Sequence, residues 1–211
     1  MRQINFPNWL VWIDGNLKWL SIPKLPLLLT IIQAAGFFLV MSKPAFQKSL
    51  ILDPNKVLNG EFWLVFTFIA IPVVNSFFVF FVLWFFYDVM RWLEDLWGST
   101  LLTVYFLFAW FSTVFASLVM GIPIVTFVYM EFSFFFALAT LTPNREIHLF
   151  FILPIAFKWI AAFIAIVLLV VPLLLGSVSQ QIYIILLFAN YLIFFGKDYW
   201  LRFKNELERR R

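Results

Sequence analysis

From Phe62 to Tyr87 the chain runs for 26 residues without a charged side chain, interrupted only by Pro72 and Asn75. A stretch of this kind is long enough to enter or cross a bilayer, whose hydrocarbon core takes about 20 apolar residues in a helix. It is not an isolated feature. The 211 residues are 64% hydrophobic and 22% aromatic with only 12% charged, and the mean hydropathy is +0.97. Soluble domains carry about 25% charged residues, so this chain cannot cover a globule with side chains that face water. An all-α integral membrane protein of several spans is expected.

The same composition excludes chemistry. There is no cysteine, hence no disulfide, thiol nucleophile or thiolate-held metal. One histidine and few acids leave no metal cluster to build, and neither a metal nor a cofactor is expected. The net charge of +4 concerns topology and lipid headgroups before nucleic acid, which is not an expected partner. A cleavable signal is not expected, because residues 1–24 lack a continuous apolar core.

Three regions follow from a walk along the chain. Residues 1–24 mix Trp9, Trp12 and Trp19 with Arg2, Lys18 and Lys24, the pattern of a segment lying in the headgroup layer. Residues 25–196 hold six expected spans, at 25–41, 75–93, 100–121, 123–141, from a bend at Pro154 to Leu175, and 182–196. Between the first two, residues 62–74 read as a shallow, partly embedded loop. Residues 197–211 form a basic tail with Arg202–Glu206, Lys204–Glu208 and Glu206–Arg210 at helical i,i+4 spacing. An even number of spans puts both termini on one side. That side collects eleven Lys and Arg residues against Lys43, Lys48 and Lys56 on the other, so both termini are expected in the cytoplasm of what reads as a bacterial membrane.

VYMEFSFFFALAT (128–140) places one carboxylate, Glu131, and one hydroxyl, Ser133, inside an expected span. An ionisable group at that depth costs about 2.5–3.5 kcal/mol on insertion scales and faces a partner or a cavity. Lys158 is the charge within the neighbouring span. Glu131 lies 13 residues before Asn144 and Lys158 lies 14 after it, so an antiparallel hairpin brings them to similar depth as a structural ion pair. Ser133 is a nucleophile only if a base takes its proton. Ser133 lies about 13 Å below the loop at Thr142 at 1.5 Å per residue. His148 sits on the far side of that loop, so the two are expected about 10 Å apart in depth, too far for proton transfer. The Ser133 hydroxyl is therefore expected to bond to a carbonyl one turn back.

Three further stretches occur in order. LDPNKVLNGEFWLVFTF (52–68) resembles the D-P-x-x-V-L-x-G-x-x-W-R-L-x-T loop of the rhomboid-like superfamily of rhomboid proteases, derlins and bacterial relatives. WLEDLWGS (92–99) resembles its L-E-x-x-x-G-S turn, with Glu94 and Gly98 in register, and TPNREIHLFFILPIAFKWIAAF (142–163) is similar to the approach to span five in inactive members. The resemblance implies a six-helix bundle with a short central fourth helix. In the proteases of this superfamily that helix opens with Gly-x-Ser-Gly, and a span-six His activates the Ser. Here the corresponding stretch is Glu131-Phe132-Ser133-Phe134, and the His position falls on Ala189 or, shifted by one, on Asn190. The oxyanion positions fall on Phe78 and Val82, and the Trp-Arg pair of the first loop is Trp63-Leu64. The resemblance thus implies a derlin-like pseudoprotease whose partners are membrane lipids and other transmembrane proteins, as scaffold, client-handling factor or subunit of a complex. Two alternatives stand beside it: a transporter or proton-handling protein using Glu131 and Lys158, and an intramembrane serine protease with an unorthodox base.

Overall fold

The computed structural model describes residues 8–71, 73–74, 76–149 and 153–209. The side chains of Asn8, 147–149, 153–154, 198 and 201–209 lie outside that description, and with them the expected ion pairs of the tail. The chain is almost wholly helical: α1 Asn8–Asn16, α2 Leu25–Ser42, α3 Ala45–Leu50, α4 Pro54–Leu58, α5 Leu64–Thr67, α6 Val79–Met120, α7 Val128–Leu141, α8 Phe157–Ala165, α9 Val171–Leu175, α10 Val178–Leu187 and α11 Ala189–Arg209. Among the described residues three stretches are long and apolar enough to cross a membrane, Lys18–Ser42, Val79–Met120 and Phe157–Leu175. A fourth arises if α10 and Ala189–Lys197, bent by 70°, count as one. This is a helical membrane-embedded protein. The six expected spans map onto it unevenly, because α7 at about 1.5 Å per residue is shorter than the hydrocarbon core of about 30 Å.

Helix α6 holds two expected spans. A straight helix of 42 residues would reach about 63 Å, but Gly98 breaks it with φ 79° and ψ 162°. The rings of Phe86 and Tyr105 lie 6.1 and 5.3 Å from the same Phe134 ring, so 79–97 and 99–120 must fold back on each other at Gly98. Left-handed backbone suits glycine, which has no Cβ to clash. Ser99 Oγ donates to Glu94 Oε1 at 2.7 Å across the turn. Glu94 and Gly98 thus have a local physical task.

The first loop is held at both ends. Asp53 caps α4 by accepting from the Asn55 N–H at 3.0 Å, and Leu52 pairs with Ile124 through two backbone bonds of 3.2 and 2.9 Å. Further on, Trp110 Nε1 donates to the Val65 carbonyl at 2.7 Å, while Leu64, Phe68, Ile69 and Ile71 are buried. Trp63 is exposed. The 68–70 turn presses against α2 at Gly36, where a Cβ would fall inside the Ala70 carbonyl oxygen. The N-terminal segment packs on the bundle through Leu10, which is fully buried, and Trp9, which meets Phe108 and Phe194 edge-on or tilted, while Val11, Trp12 and Trp19 are exposed.

The approach to span five departs from expectation. Residues expected to bend into the membrane form an antiparallel hairpin, β1 Glu146–Leu149 with β2 Leu153–Ala156, and Pro154 pairs with His148 in its register. The hairpin closes at its base: the Phe157 N–H donates to the Arg145 carbonyl at 2.9 Å, and that of Lys158 to the Pro143 carbonyl at 3.2 Å. Arg145 lies over the Trp92 ring at 3.8 Å, and Phe157 meets the same ring edge-on. After α8 the helix widens into a π-turn over Ile166–Val170. Pro172 has no N–H for the carbonyl four residues back, the usual cause of such a defect.

Gly36→Ala should lower thermal stability in detergent by about 1–3 kcal/mol through overpacking. Gly15→Ala in α1, where nothing lies within 4 Å of the added carbon, should be neutral or gain up to about 1 kcal/mol. Equal unfolding temperatures for the two variants would refute the close approach at Gly36.

Candidate functional site

Helix α7 is buried without interruption from Ser133 to Leu141. Its neighbours bring two polar groups to Ser133. Tyr105 comes from the second half of α6, fixed among the rings of Trp97, Phe134 and Phe194 at 5.2, 5.3 and 4.9 Å. Asn190 comes from the start of α11, where the bend after Phe188 turns it inward. Ser133, Tyr105 and Asn190 are all fully buried.

Three contacts join them. Asn190 Nδ2 donates to Ser133 Oγ at 2.6 Å, the Tyr105 and Ser133 hydroxyls meet at 2.7 Å, and the Tyr105 hydroxyl donates to the Ser133 carbonyl at 3.0 Å. The single phenol proton goes to the carbonyl, which can only accept. The Ser133 proton therefore goes to the Tyr105 oxygen, and the Ser133 lone pairs receive the amide. A nucleophilic serine needs the opposite arrangement, a basic acceptor for its proton and an open approach to its oxygen. An amide nitrogen is no base. Asn190 Oδ1 is enclosed without a bonded partner.

The structure places each expected site residue. Of the two positions set against Ser133, Asn190 reaches it and Ala189 does not. The bond expected from Ser133 to a carbonyl one turn back gives way to bonds across helices, to Tyr105 and Asn190. Phe78, at the entry of α6, is exposed. Val82 lines a cavity with Glu131. The backbone of His148 lies in the hairpin beyond the C-terminal end of α7, and its side chain falls outside the described atoms. Sequence reasoning missed Tyr105, although a tyrosine inside a charge-free span must find a partner for its hydroxyl.

The expected Glu131–Lys158 ion pair does not form. Lys158 is exposed, and its Nζ donates to Asn144 Oδ1 at 2.9 Å. Glu131 sits in the first turn of α7, and Lys158 lies beside Pro143 past its last turn, about 15 Å away along the axis. The depth count failed because 146–149 and 153–156 pair as an antiparallel hairpin, which brings Lys158 back beside Pro143. Glu131 instead faces Gln33 of α2. No bond of ordinary geometry joins them: Gln33 Nε2, Gln33 Oε1 and Glu131 Oε1 are all enclosed without partners. Glu131 is the one charged group on the wall of an otherwise apolar cavity of about 220 Å³ between α6, α7 and α8. Among the described residues no group of acids and histidines could hold a metal.

Compared with protein-family models, curated proteins and solved structures, the chain finds no match.

Ser133→Ala should lower stability by about 1–3 kcal/mol, the range for stranding a buried donor. Adding Asn190→Leu should recover part of the loss, since replacing both partners by apolar groups is close to neutral. A double variant no better than Ser133→Ala alone would show that the amide bond carries no weight.

Glu131→Gln and Lys158→Met should have additive effects on thermal stability, within about 0.5 kcal/mol, as for groups out of contact. Mutual rescue in the double variant would restore the ion pair.

Proposed function

We propose that this chain is a rhomboid-like membrane protein without peptidase activity, which binds other membrane proteins through its helices as a scaffold, client-handling factor or subunit of a larger complex. Its six spans keep both termini in the cytoplasm. The observation that carries the binding role is the Phe157–Leu175 stretch. None of its most apolar window is buried within the chain, against 39% for Lys18–Ser42 and 61% for Val79–Met120. Trp159, Phe163, Val167 and Leu174 all face outward from it. A partner's transmembrane helix can pack on that flank, and the π-turn gives the helix freedom to adapt. The enclosed Ser133, bonded to an amide where the proteases have their base, supports the absence of catalysis.

A photoreactive residue at Phe163 should trap a stoichiometric membrane protein that one at Ile31 of α2 does not. Ser133 should meanwhile resist a serine-reactive phosphonate. A chain that stays alone under crosslinking would remove the binding role, and phosphonate labelling of Ser133 would favour the peptidase.

A proton- or ion-handling role is the second reading, favoured by the lone Glu131 carboxylate on its cavity wall. It requires proton flux in proteoliposomes that Glu131→Gln abolishes while the protein still folds. No flux in the unaltered protein would end it.

A further inference from the structure

A crevice of about 300 Å³ opens between α7, α8 and α11, away from both Ser133 and Glu131. One end of it is polar. Lys158 lies there with three hydroxyls, those of Thr140, Tyr191 and Tyr199. The other end is apolar, walled along α8 by Ala161 and Ala165 and beyond them by Leu169. Lys158, Ala161 and Ala165 recur at three- and four-residue spacing, so they share one helix face. The polar end lies where α7 gives way to the loop at Thr142. A charged head and an apolar tail are thus accommodated in one continuous space.

The hydroxyls show what the polar end lacks. Thr140 Oγ1 donates to the Phe136 carbonyl at 2.8 Å, so its proton is taken. It then meets Tyr191 at 2.7 Å and Tyr199 at 3.1 Å, and the two phenols meet at 2.9 Å. These three oxygen–oxygen contacts share only the two phenol protons, and one contact must go without. Tyr199 makes the longest of them and is exposed. Its proton can turn outward to a new acceptor while Tyr191 stays bonded to Thr140, provided the Tyr199 ring swings out of its two contacts. Lys158 uses one of its three N–H groups on Asn144 and has two left. A site with two donors on a cation, one phenol proton to give and an apolar wall below matches an oxyanion carried by a chain.

We propose that this crevice binds a single anionic phospholipid, its phosphate on Lys158 and Tyr199 and an acyl chain along Ala161, Ala165 and Leu169. On the topology proposed above, Arg145 and Lys197 lie on the same side as Lys158, and that positive charge complements an anionic leaflet. The lipid fills the gap between α8 and the bundle, which protein side chains leave open.

The full chain is equilibrated in nanodiscs with equal parts of phosphatidylglycerol and phosphatidylcholine, and the lipid it retains is read by native mass spectrometry. Phosphatidylglycerol should be enriched, and Lys158→Gln should cut the enrichment about fivefold, the order expected for one lysine at the surface. Tyr199→Phe should reduce it less, and both Lys158→Arg and the distant Lys48→Gln should keep it. If Lys158→Gln does not fold, Tyr199→Phe against Lys158→Arg makes the same comparison. Retention at the bulk ratio would overturn the proposal, as would equal losses in Lys158→Gln and Lys48→Gln. So would displacement of phosphatidylglycerol by inorganic phosphate alone, since the site would then hold a free oxyanion and not a lipid.

Discussion

Inside a hydrocarbon medium a hydroxyl, a phenol and an amide have no water to turn to, and that constraint draws Tyr105, Ser133 and Asn190 together. They come from α6, α7 and α11, and their contacts of 2.6–3.0 Å tie those helices at one buried point. The rings of Trp97, Phe134 and Phe194 close around it. A node of this kind sets depth as well as contact: α7 must lie centrally to reach both partners, and α11 must bend near Phe188 to bring Asn190 inward.

The same constraint is unmet elsewhere. Gln33 and Glu131 face each other without a bond of ordinary geometry among the described residues. Buried polar groups without partners are costly, and such groups inside a membrane mark functional sites more often than packing. Among the described residues the buried polar groups at Ser133 and Glu131 are thus opposite in character, the first closed upon itself and the second unresolved. A third polar group, at Lys158, is exposed at the mouth of a crevice. The proposed roles divide along those lines. The closed centre holds helices, the open edge meets lipid, and the bare flank of 157–175 is free for a partner.

Much of this was legible in the sequence. Charge-free runs and the scarcity of charge determined membrane embedding and the helices, because a hydrocarbon medium permits little else. Gly98 beside Glu94 marked the reversal inside α6, since local backbone conformation depends on neighbours in the chain. The resemblance set Ala189 or Asn190 against Ser133 as the place of a missing base, and the structure brings Asn190 there as a hydrogen-bond donor.

What the tertiary structure alone decided concerns depth and partners. Counting residues from a loop gives depth only if every residue rises by the same amount, and the pairing of 146–149 with 153–156 breaks that condition, leaving Lys158 on Asn144 and Glu131 against Gln33. The choice of Asn190 over Ala189 rests on a 70° bend that no local residue pattern announces. Tyr105 is one tyrosine among six in the sequence. Its part in the node comes from α6 folding back at Gly98, which sets its hydroxyl beside a serine 28 positions away. Composition and spacing act along the chain and can be read there, whereas partners across helices depend on how the helices are stacked.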